Sequence, residues 1–159
     1  MPTTRRPIMA KAIDNATAVL ISDIQTGDTH PNQMIATEAV RLAARGFVKL
    51  TATGDLAITS KAHRALRRFE KQNEIAVATE AVRGVIDEIL VEPGAVTQHR
   101  AVWNAVGGPD KFERDTVLQA LNVLKAEGVL NNHRTSGNNF QIFWKRADDV
   151  VPTPDFEEN

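Results

Sequence analysis

The chain has 159 residues, of which 42% are hydrophobic and 25% are charged, a balance typical of a globular protein with one ordinary domain or two very small ones. It contains no Cys, which excludes disulfide bonds, a thiol nucleophile and a cysteine-based zinc site. No apolar run approaches the roughly 18 residues that cross a membrane, and the start MPTTRRPIMAKA lacks the apolar core of a secretory signal. We therefore expect a cytoplasmic protein without a membrane partner.

The net charge of −1 argues against nucleic acid as a partner, but the charges are unevenly distributed. Residues 41–71 carry eight bases and two acids, and residues 93–146 carry seven bases and four acids. Residues 72–92 carry five acids and one base, and the segment after residue 146 carries five acids and no base. Two basic blocks are thus separated by an acidic segment and followed by an acidic tail, and this distribution is compatible with an anionic partner.

Apolar residues at helical spacing predict a first helix over residues 12–25 that ends at Gly27, with a buried stripe formed by Ile13, Ala16, Leu20 and Ile24. A loop over residues 27–31 precedes a second predicted helix, from about Asn32 to Arg45. Gly46 follows it at the position where a left-handed C-terminal cap is expected.

The periodicity then changes to that of a short hairpin, FVKLT and LAIT, with Gly54-Asp55 in the turn. Ser60 is predicted to cap a helix that runs to about Gln72. Residues 74–92 form a separate, strongly amphipathic helix in this interpretation, which Pro93-Gly94 ends.

In the last third, Thr97 is predicted to cap a short helix that ends at Gly107-Gly108. Another helix runs over residues 115–127 and is followed by Gly128. VLNNHR and NFQIFW form a second hairpin around the turn TSGN. Residues 148–159, with two prolines among the acids, are predicted to be disordered.

Comparison of the chain with itself indicates an internal repeat at an offset of 82 residues. The segment LAARGFV, from Leu42, aligns with LKAEGVL, from Leu124, and the two glycines coincide. The apolar stripe of Ile35, Ala39 and Leu42 falls on Val117, Leu121 and Leu124. Each copy is a helix, a connecting turn, a second helix, a glycine and a hairpin.

The segments EAVRLAARGFVKLTATGDLAITSKAHRAL and DTVLQALNVLKAEGVLNNHRTSGNNFQIFW resemble the winged helix-turn-helix superfamily, as a recognition helix, a glycine and a two-stranded wing. The resemblance implies a mainly helical α+β fold with tandem winged-helix units. The first unit spans residues 12–72 and the second residues 96–147. Residues 73–95 form an amphipathic connecting or dimerisation helix between them.

The resemblance implies that the second copy binds double-stranded DNA through the polar face of its recognition helix and through the tip of its wing. Gln and Asn pair with adenine and Arg pairs with guanine in such helices. The residues concerned are Arg114, Thr116, Gln119 and Asn122 on the helix, and Arg134, Ser136 and Asn138 on the wing. The alternative is an ordinary solvated face and turn.

In the first copy the equivalent helix face offers Gln33, Thr37 and Arg41, beside Glu38, which would repel phosphate. The helix after the first wing carries a basic stripe suited to phosphates, formed on one face by Arg64, Arg67, Arg68 and Lys71, with Lys61 on the same helix. A solvated face, or pairing with acids of the same chain, is the alternative interpretation.

The apolar side of residues 74–92 requires a partner. A second subunit, which predicts a homodimer, and an intrachain brace between the two units explain it equally well. Many winged-helix regulators dimerise through such helices.

Catalysis is not expected, because no Gly-rich phosphate loop, nucleophile triad or carboxylate dyad is present and the four His lack metal-ligand spacing. We therefore expect neither a cofactor nor a metal. The sequence favours a DNA-binding regulator or a replication or maintenance factor. The alternative is a protein-interaction adaptor, of the chromosome-condensation accessory type or a phage or mobile-element protein acting on host transcription machinery.

Overall fold

The structure, a computed structural model, describes residues 12–27, 36–136 and 141–147. It is a mainly helical α+β fold with small antiparallel sheets, as predicted at the level of fold class; the tandem winged-helix units stay a prediction. The elements in chain order are α1 (Asn15–Thr26), α2 (Ala36–Ala44), β1 (Val48–Leu50), β2 (Leu56–Ile58), α3 (Ser60–Ile89), β3 (Thr97–Gln98), α4 (His99–Ala105), a 3-10 turn (Gly108–Asp110), α5 (Arg114–Ala126), β4 (Leu130–Arg134) and β5 (Ile142–Arg146). None of the helices in these ranges has the length and apolarity that a bilayer crossing needs.

Three predicted features fall outside the described residues. They are the loop after Gly27 with the start of the second helix near Asn32, the centre of the TSGN turn, and the acidic tail over residues 148–159.

The chain divides into two compact units after Gln72, within the long helix α3. The prediction of two separate helices, over 60–72 and 74–92, is wrong, because α3 is continuous from Ser60 to Ile89. No proline or glycine lies near residue 73 to interrupt the backbone hydrogen bonds, whereas Pro93-Gly94 follows shortly after the helix ends.

In the first unit, α1 ends at Gly27 as the sequence predicts, and it begins with a side-chain cap that the sequence interpretation did not predict. The Asp14 carboxylate accepts a hydrogen bond from the backbone N–H of Thr17 at 2.7 Å, and Gly27 ends the helix with a φ of 79°. The buried stripe is shifted from the predicted one: Ala16 is exposed, and Thr17 and Ile21 are fully buried. The residues that face the core of this unit are Ile13, Thr17, Ala18, Ile21 and Ile24.

The rest of the first core comes from α2, the hairpin and the start of α3. Leu42 of α2 is fully buried, and the hairpin pairs Val48 with Ile58 in an antiparallel register. Thr59, not the predicted Ser60, caps α3, because its hydroxyl accepts from the backbone N–H of Ala62 at 3.3 Å. The same hydroxyl donates to the carbonyl of Gly46 at 2.6 Å and so ties the end of the hairpin to the end of α2.

The second unit is built around the segment that the sequence assigns to a connecting helix. Ala78, Val82 and Ile86 on α3 are buried in the second core, with residues of α4, α5, β4 and β5. The apolar face that motivated the dimer is therefore covered within this unit. Leu121 and Trp144 are the central members from α5 and β5, each no more than 1% exposed.

A three-stranded sheet in the order β3-β5-β4 completes the second unit. Thr97 does not cap a helix as predicted. It lies in β3, is buried, and pairs with Trp144 of β5, while Gln98 precedes α4 without a side-chain cap. A two-residue strand carries no alternation that a sequence pattern can detect.

The repeat reappears in the backbone hydrogen bonds at the ends of α2 and α5. The N–H of Phe47 donates to the carbonyl of Leu42, and the N–H of Val129 donates to that of Leu124, both at 2.9 Å. Gly46 and Gly128 adopt φ angles of 73° and 75°, which completes the same glycine-based helix end in both units. The carbonyls of Phe47 and Val129 then each accept a hydrogen bond from the residue that follows their hairpin.

Candidate nucleic-acid interface

Helix α5 has one buried face and one polar face. Val117, Ala120, Leu121 and Leu124 have no exposed surface and fix the orientation of the helix in the second core. Arg114 and Asn122 are exposed, and Gln119 between them is half-buried. Gln119 donates its amide to a carboxylate oxygen of Asp115, one turn earlier on the same surface.

Thr116 does not belong to this polar face. The sequence assigns it to the solvent side of the helix, but it is fully buried, and its hydroxyl donates to a carboxylate oxygen of Glu74 on α3 at 3.1 Å. The prediction is wrong because the buried arc of α5 is wide enough to include a residue next to Val117. Thr116 links α5 to α3 and is not available at the surface.

Two hydrogen bonds from α4 fix the start of α5. The Nε2 atom of His99 donates to the carbonyl of Arg114 at 2.8 Å, and the indole N–H of Trp103 donates to the carbonyl of Phe112 at 2.8 Å. Burial lowers the pKa of His99, an effect that the hydrogen bond to Arg114 opposes and the charge of Arg114 reinforces. The neutral ring is thus favoured, and α4 holds the first turn of α5 in position.

The hairpin of β4 and β5 is the predicted wing of the second unit. The rings of His133 and Phe143 stack across the two strands with centroids 5.5 Å apart, and the N–H of Thr135 donates to the carbonyl of Gln141 at 3.0 Å. Arg134 and Ser136 are exposed near its tip. Asn138, the third predicted wing residue, lies outside the described residues.

One base at the end of the wing is engaged within the unit. Arg146 donates from Nε to the carbonyl of Leu90 and from Nη2 to a carboxylate oxygen of Asp87, both at 2.9 Å. It therefore holds β5 against the end of α3 and is a structural residue.

The basic stripe of the first unit lies on the first turns of α3. Arg64, Arg67 and Arg68 are all exposed, and none of the three makes an ion pair or hydrogen bond with the described part of the chain. Lys61 differs, because its Nζ donates to the carbonyl of Arg45 and lies 5.3 Å from the centre of the Phe47 ring. The three arginines are thus available to an external anion.

On α2, Thr37 and Arg41 are exposed as predicted, and Glu38 beside them is half-buried. Gln33 lies outside the described residues. The guanidinium of Arg45, one turn after Arg41, lies 4.8 Å from the centre of the Phe47 ring.

The predicted residues thus divide between the two units. In the second unit, Arg114, Gln119 and Asn122 share the polar face of α5, and Arg134 and Ser136 lie on the wing. In the first unit, the bases lie on α2 and α3.

The sequence interpretation missed the roles of His99 and of Phe47. No local signal marks either role, because His99 bonds a carbonyl 15 residues away and Phe47 contacts Lys61, which follows the hairpin. Within the described ranges, no group of three or more His, Asp or Glu side chains is arranged to hold a metal ion.

Comparison of the chain with models of protein families, with curated proteins and with solved structures finds no match.

Proposed function

We propose that the chain binds double-stranded DNA through two winged-helix units, as a transcriptional regulator or as a replication or maintenance factor. The observation that carries the proposal is the element order of the second unit. The second half of α3, β3, α4 and α5 precede a two-stranded hairpin, and the sheet order is β3-β5-β4. In helix-turn-helix proteins, the second helix of such a pair enters the major groove, and here that helix is α5.

The chemistry of the α5 surface supports contact with bases. Arg114 supplies a guanidinium of the kind that pairs with guanine, and the amides of Gln119 and Asn122 are of the kind that pairs with adenine. Gln119 and Asn122 lie one turn apart on α5, and α4 holds the first turn of this helix. Such support favours sequence discrimination, because it reduces the freedom of side chains that must meet base edges.

The first unit supports binding of a different kind. Arg64, Arg67 and Arg68 are exposed and are not neutralised by the described residues. Cations of this type bind phosphates irrespective of sequence, and they release counterions as they do so. We therefore assign affinity mainly to the first unit and discrimination mainly to the second.

A second candidate is the protein-interaction adaptor, which the acids around the start of α5 favour. Asp110, Glu113 and Asp115 are exposed and lie within four residues of the start of α5 along the chain, and Asp115 already accepts the amide of Gln119. Acids at this position repel DNA and suit a basic protein surface. Recovery of one stable protein partner, unchanged by nuclease treatment, would favour the adaptor.

Fluorescence anisotropy with labelled duplexes of random and selected sequence tests the DNA proposal. We expect binding at low salt, with dissociation constants of tens of micromolar or lower for random duplexes. Gln119→Ala should reduce the ratio of affinities for selected and random duplexes by at least about fivefold and leave the affinity for random duplexes unchanged. Asn131→Ala is the matched control, because it removes an exposed amide that lies on β4 and not on α5.

The double variant Arg64→Glu, Arg68→Glu should weaken the binding of both kinds of duplex alike. Absence of binding to any duplex, or equal loss in the Gln119→Ala and Asn131→Ala proteins, would contradict the assignments.

A further inference from the structure

A groove of about 270 Å³ opens on the first unit, between the start of α1, Phe47 and one face of α3. Its volume lies just below the range of about 300–1,000 Å³ that is typical of small-molecule sites, so that only a small ligand fits. Lys61, Ala65 and Phe69 follow each other at four-residue intervals along α3 and therefore face the groove from one side of the helix.

The floor of the groove is apolar. Ile13 and Phe47 are buried in the first core and also line the groove, while Ala65 and Phe69 are half-buried beside them. Phe69 is the more accessible of the two phenyl rings, because Phe47 is only 4% exposed and the cations of Arg45 and Lys61 lie over its ring. Such a floor favours a ligand with a flat apolar body, because aromatic rings gain both apolar burial and ring contacts.

The edge of the same groove is cationic. Lys61, Arg64 and Arg68 line it, and no acidic side chain is among the described residues that do so. Arg64 and Arg68 make no ion pair with the described part of the chain, so that a bound anion would not compete with an acidic side chain of these residues. An apolar floor with a cationic edge selects a ligand that is itself apolar at one end and anionic at the other.

We propose that this groove is a binding site for small aromatic carboxylates. The ring of the ligand lies on the floor formed by Ile13, Phe47 and Phe69, and its carboxylate pairs with Arg64 and Arg68. Guanidinium groups match the geometry of a carboxylate and form two parallel hydrogen bonds with it. The proposal does not depend on DNA binding, because it rests on the residues that line the groove. Arg64 and Arg68 are also among the residues that we assign to phosphate contact, so that a bound carboxylate and a phosphate would compete for them.

The test is a titration of the ¹⁵N-labelled full chain with 2-naphthoate, monitored by the amide signals, with neutral 2-naphthamide as the comparison ligand. We expect a dissociation constant at or below about 1 mM for the naphthoate, which has about thirteen non-hydrogen atoms. The largest shifts should fall on the amides of Phe47, Ala65 and Phe69. The naphthamide should bind at least about fivefold more weakly, because it lacks the charge.

Two variants distinguish a carboxylate site from a general attraction of anions. Arg64→Gln with Arg68→Gln should weaken 2-naphthoate binding at least about fivefold, and both side chains are exposed, so that the core is unaffected. Lys49→Gln removes an exposed base of the same unit that does not line the groove, and should leave the dissociation constant within about twofold.

A third variant, Ala65→Leu, fills the groove and should abolish the shifts. Equal affinity for naphthoate and naphthamide, unchanged affinity in the double glutamine variant, or shifts confined to the second unit would each overturn the proposal. An equal loss of affinity in Lys49→Gln and in the double variant would overturn it as well.

Discussion

Leu42 and Leu124 occupy equivalent positions of the repeat, and each is fully buried in the apolar cluster of its own unit. We predict that each truncation to alanine destabilises mainly the unit that contains it. Removal of a buried leucine side chain costs about 2–5 kcal/mol, because apolar contacts are lost and a cavity remains. A unit of this size has a total stability of about 5 kcal/mol, so that either variant should lose most of it.

The tryptophans make the two effects separable. Trp103 and Trp144 are the only tryptophans, and both belong to the second unit. Urea unfolding followed by Trp fluorescence therefore reports on the second unit, while far-UV circular dichroism reports on the helices of both. Because the free energy of unfolding falls by about 1 kcal/mol for each 1 M of urea, Leu124→Ala should lower the urea midpoint of the fluorescence transition by about 2 M or more.

Leu42→Ala should leave the fluorescence midpoint within about 0.5 M of that of the unmodified protein. In the same variant, the first unit should unfold at a lower urea concentration, as an earlier onset of the loss of dichroism. The two clusters share no member among the described residues, although α3 contributes to both. Coincident shifts of the two signals in the Leu42→Ala protein would refute the reasoning, because they would require one cooperative core.

Three further predictions concern single positions. Gly46→Ala and Gly128→Ala should each cost about 1 kcal/mol in urea unfolding, because alanine disfavours their left-handed backbone although an added Cβ meets no close contact. Burial lowers the pKa of His99, so that the unfolded chain takes up a proton at a higher pH than the folded chain does. The free energy of unfolding should therefore fall as the pH drops from about 7 towards about 5, and it should fall less in His99→Gln. Thermal unfolding measured across this pH range is the test. Arg146→Met should lower the free energy of unfolding by about 1 kcal/mol, measured by fluorescence-detected unfolding. Asp87→Asn should lower it less, because Arg146 still bonds the Leu90 carbonyl in that variant, and equal losses in the two variants would contradict this prediction.

The parts of the fold that were predictable depend on local chemistry. A glycine after an apolar helix marks a left-handed end, and the structure has that end at Gly27, Gly46 and Gly128. The predicted bounds of α5 agree to within one residue, because its apolar stripe and the glycine after it coincide. The repeat was detectable for the same reason, since its signature is one glycine and the stripe that precedes it.

The parts that were missed depend on partners far along the chain. The hydroxyl of Thr116 bonds a residue 42 positions away, and Arg146 bonds one 59 positions away. Local spacing therefore shows neither the burial of Thr116 nor the ion pair of Arg146. The strand β3 exists only through its pairing with β5. The charge composition changes near residue 73, which resembles a boundary between two helices, but α3 continues because no residue there interrupts its backbone hydrogen bonds.

The candidate site follows the same division. The exposed arginines of α3 were predictable from their spacing and charge. The hydrogen bond from the Gln119 amide to Asp115 spans one helical turn and is therefore also predictable from local spacing. The apolar groove beside the arginines was not predictable, because Ile13, Phe47 and Phe69 are brought together only by the fold.

The salt dependence of DNA binding, compared between the unchanged chain and the Arg64→Glu, Arg68→Glu variant, is the most direct test of the central claim. Lys49→Glu is the control, since it reverses one exposed charge of the same unit outside the basic stripe. We predict that the logarithm of affinity falls steeply with the logarithm of salt concentration, and that the double variant lowers this slope by about two, since each phosphate contact contributes about 0.9. Lys49→Glu should change the slope much less. Failure of the unchanged chain to bind any duplex at tens of micromolar and low salt, or equal slopes for it and the double variant, would contradict the account.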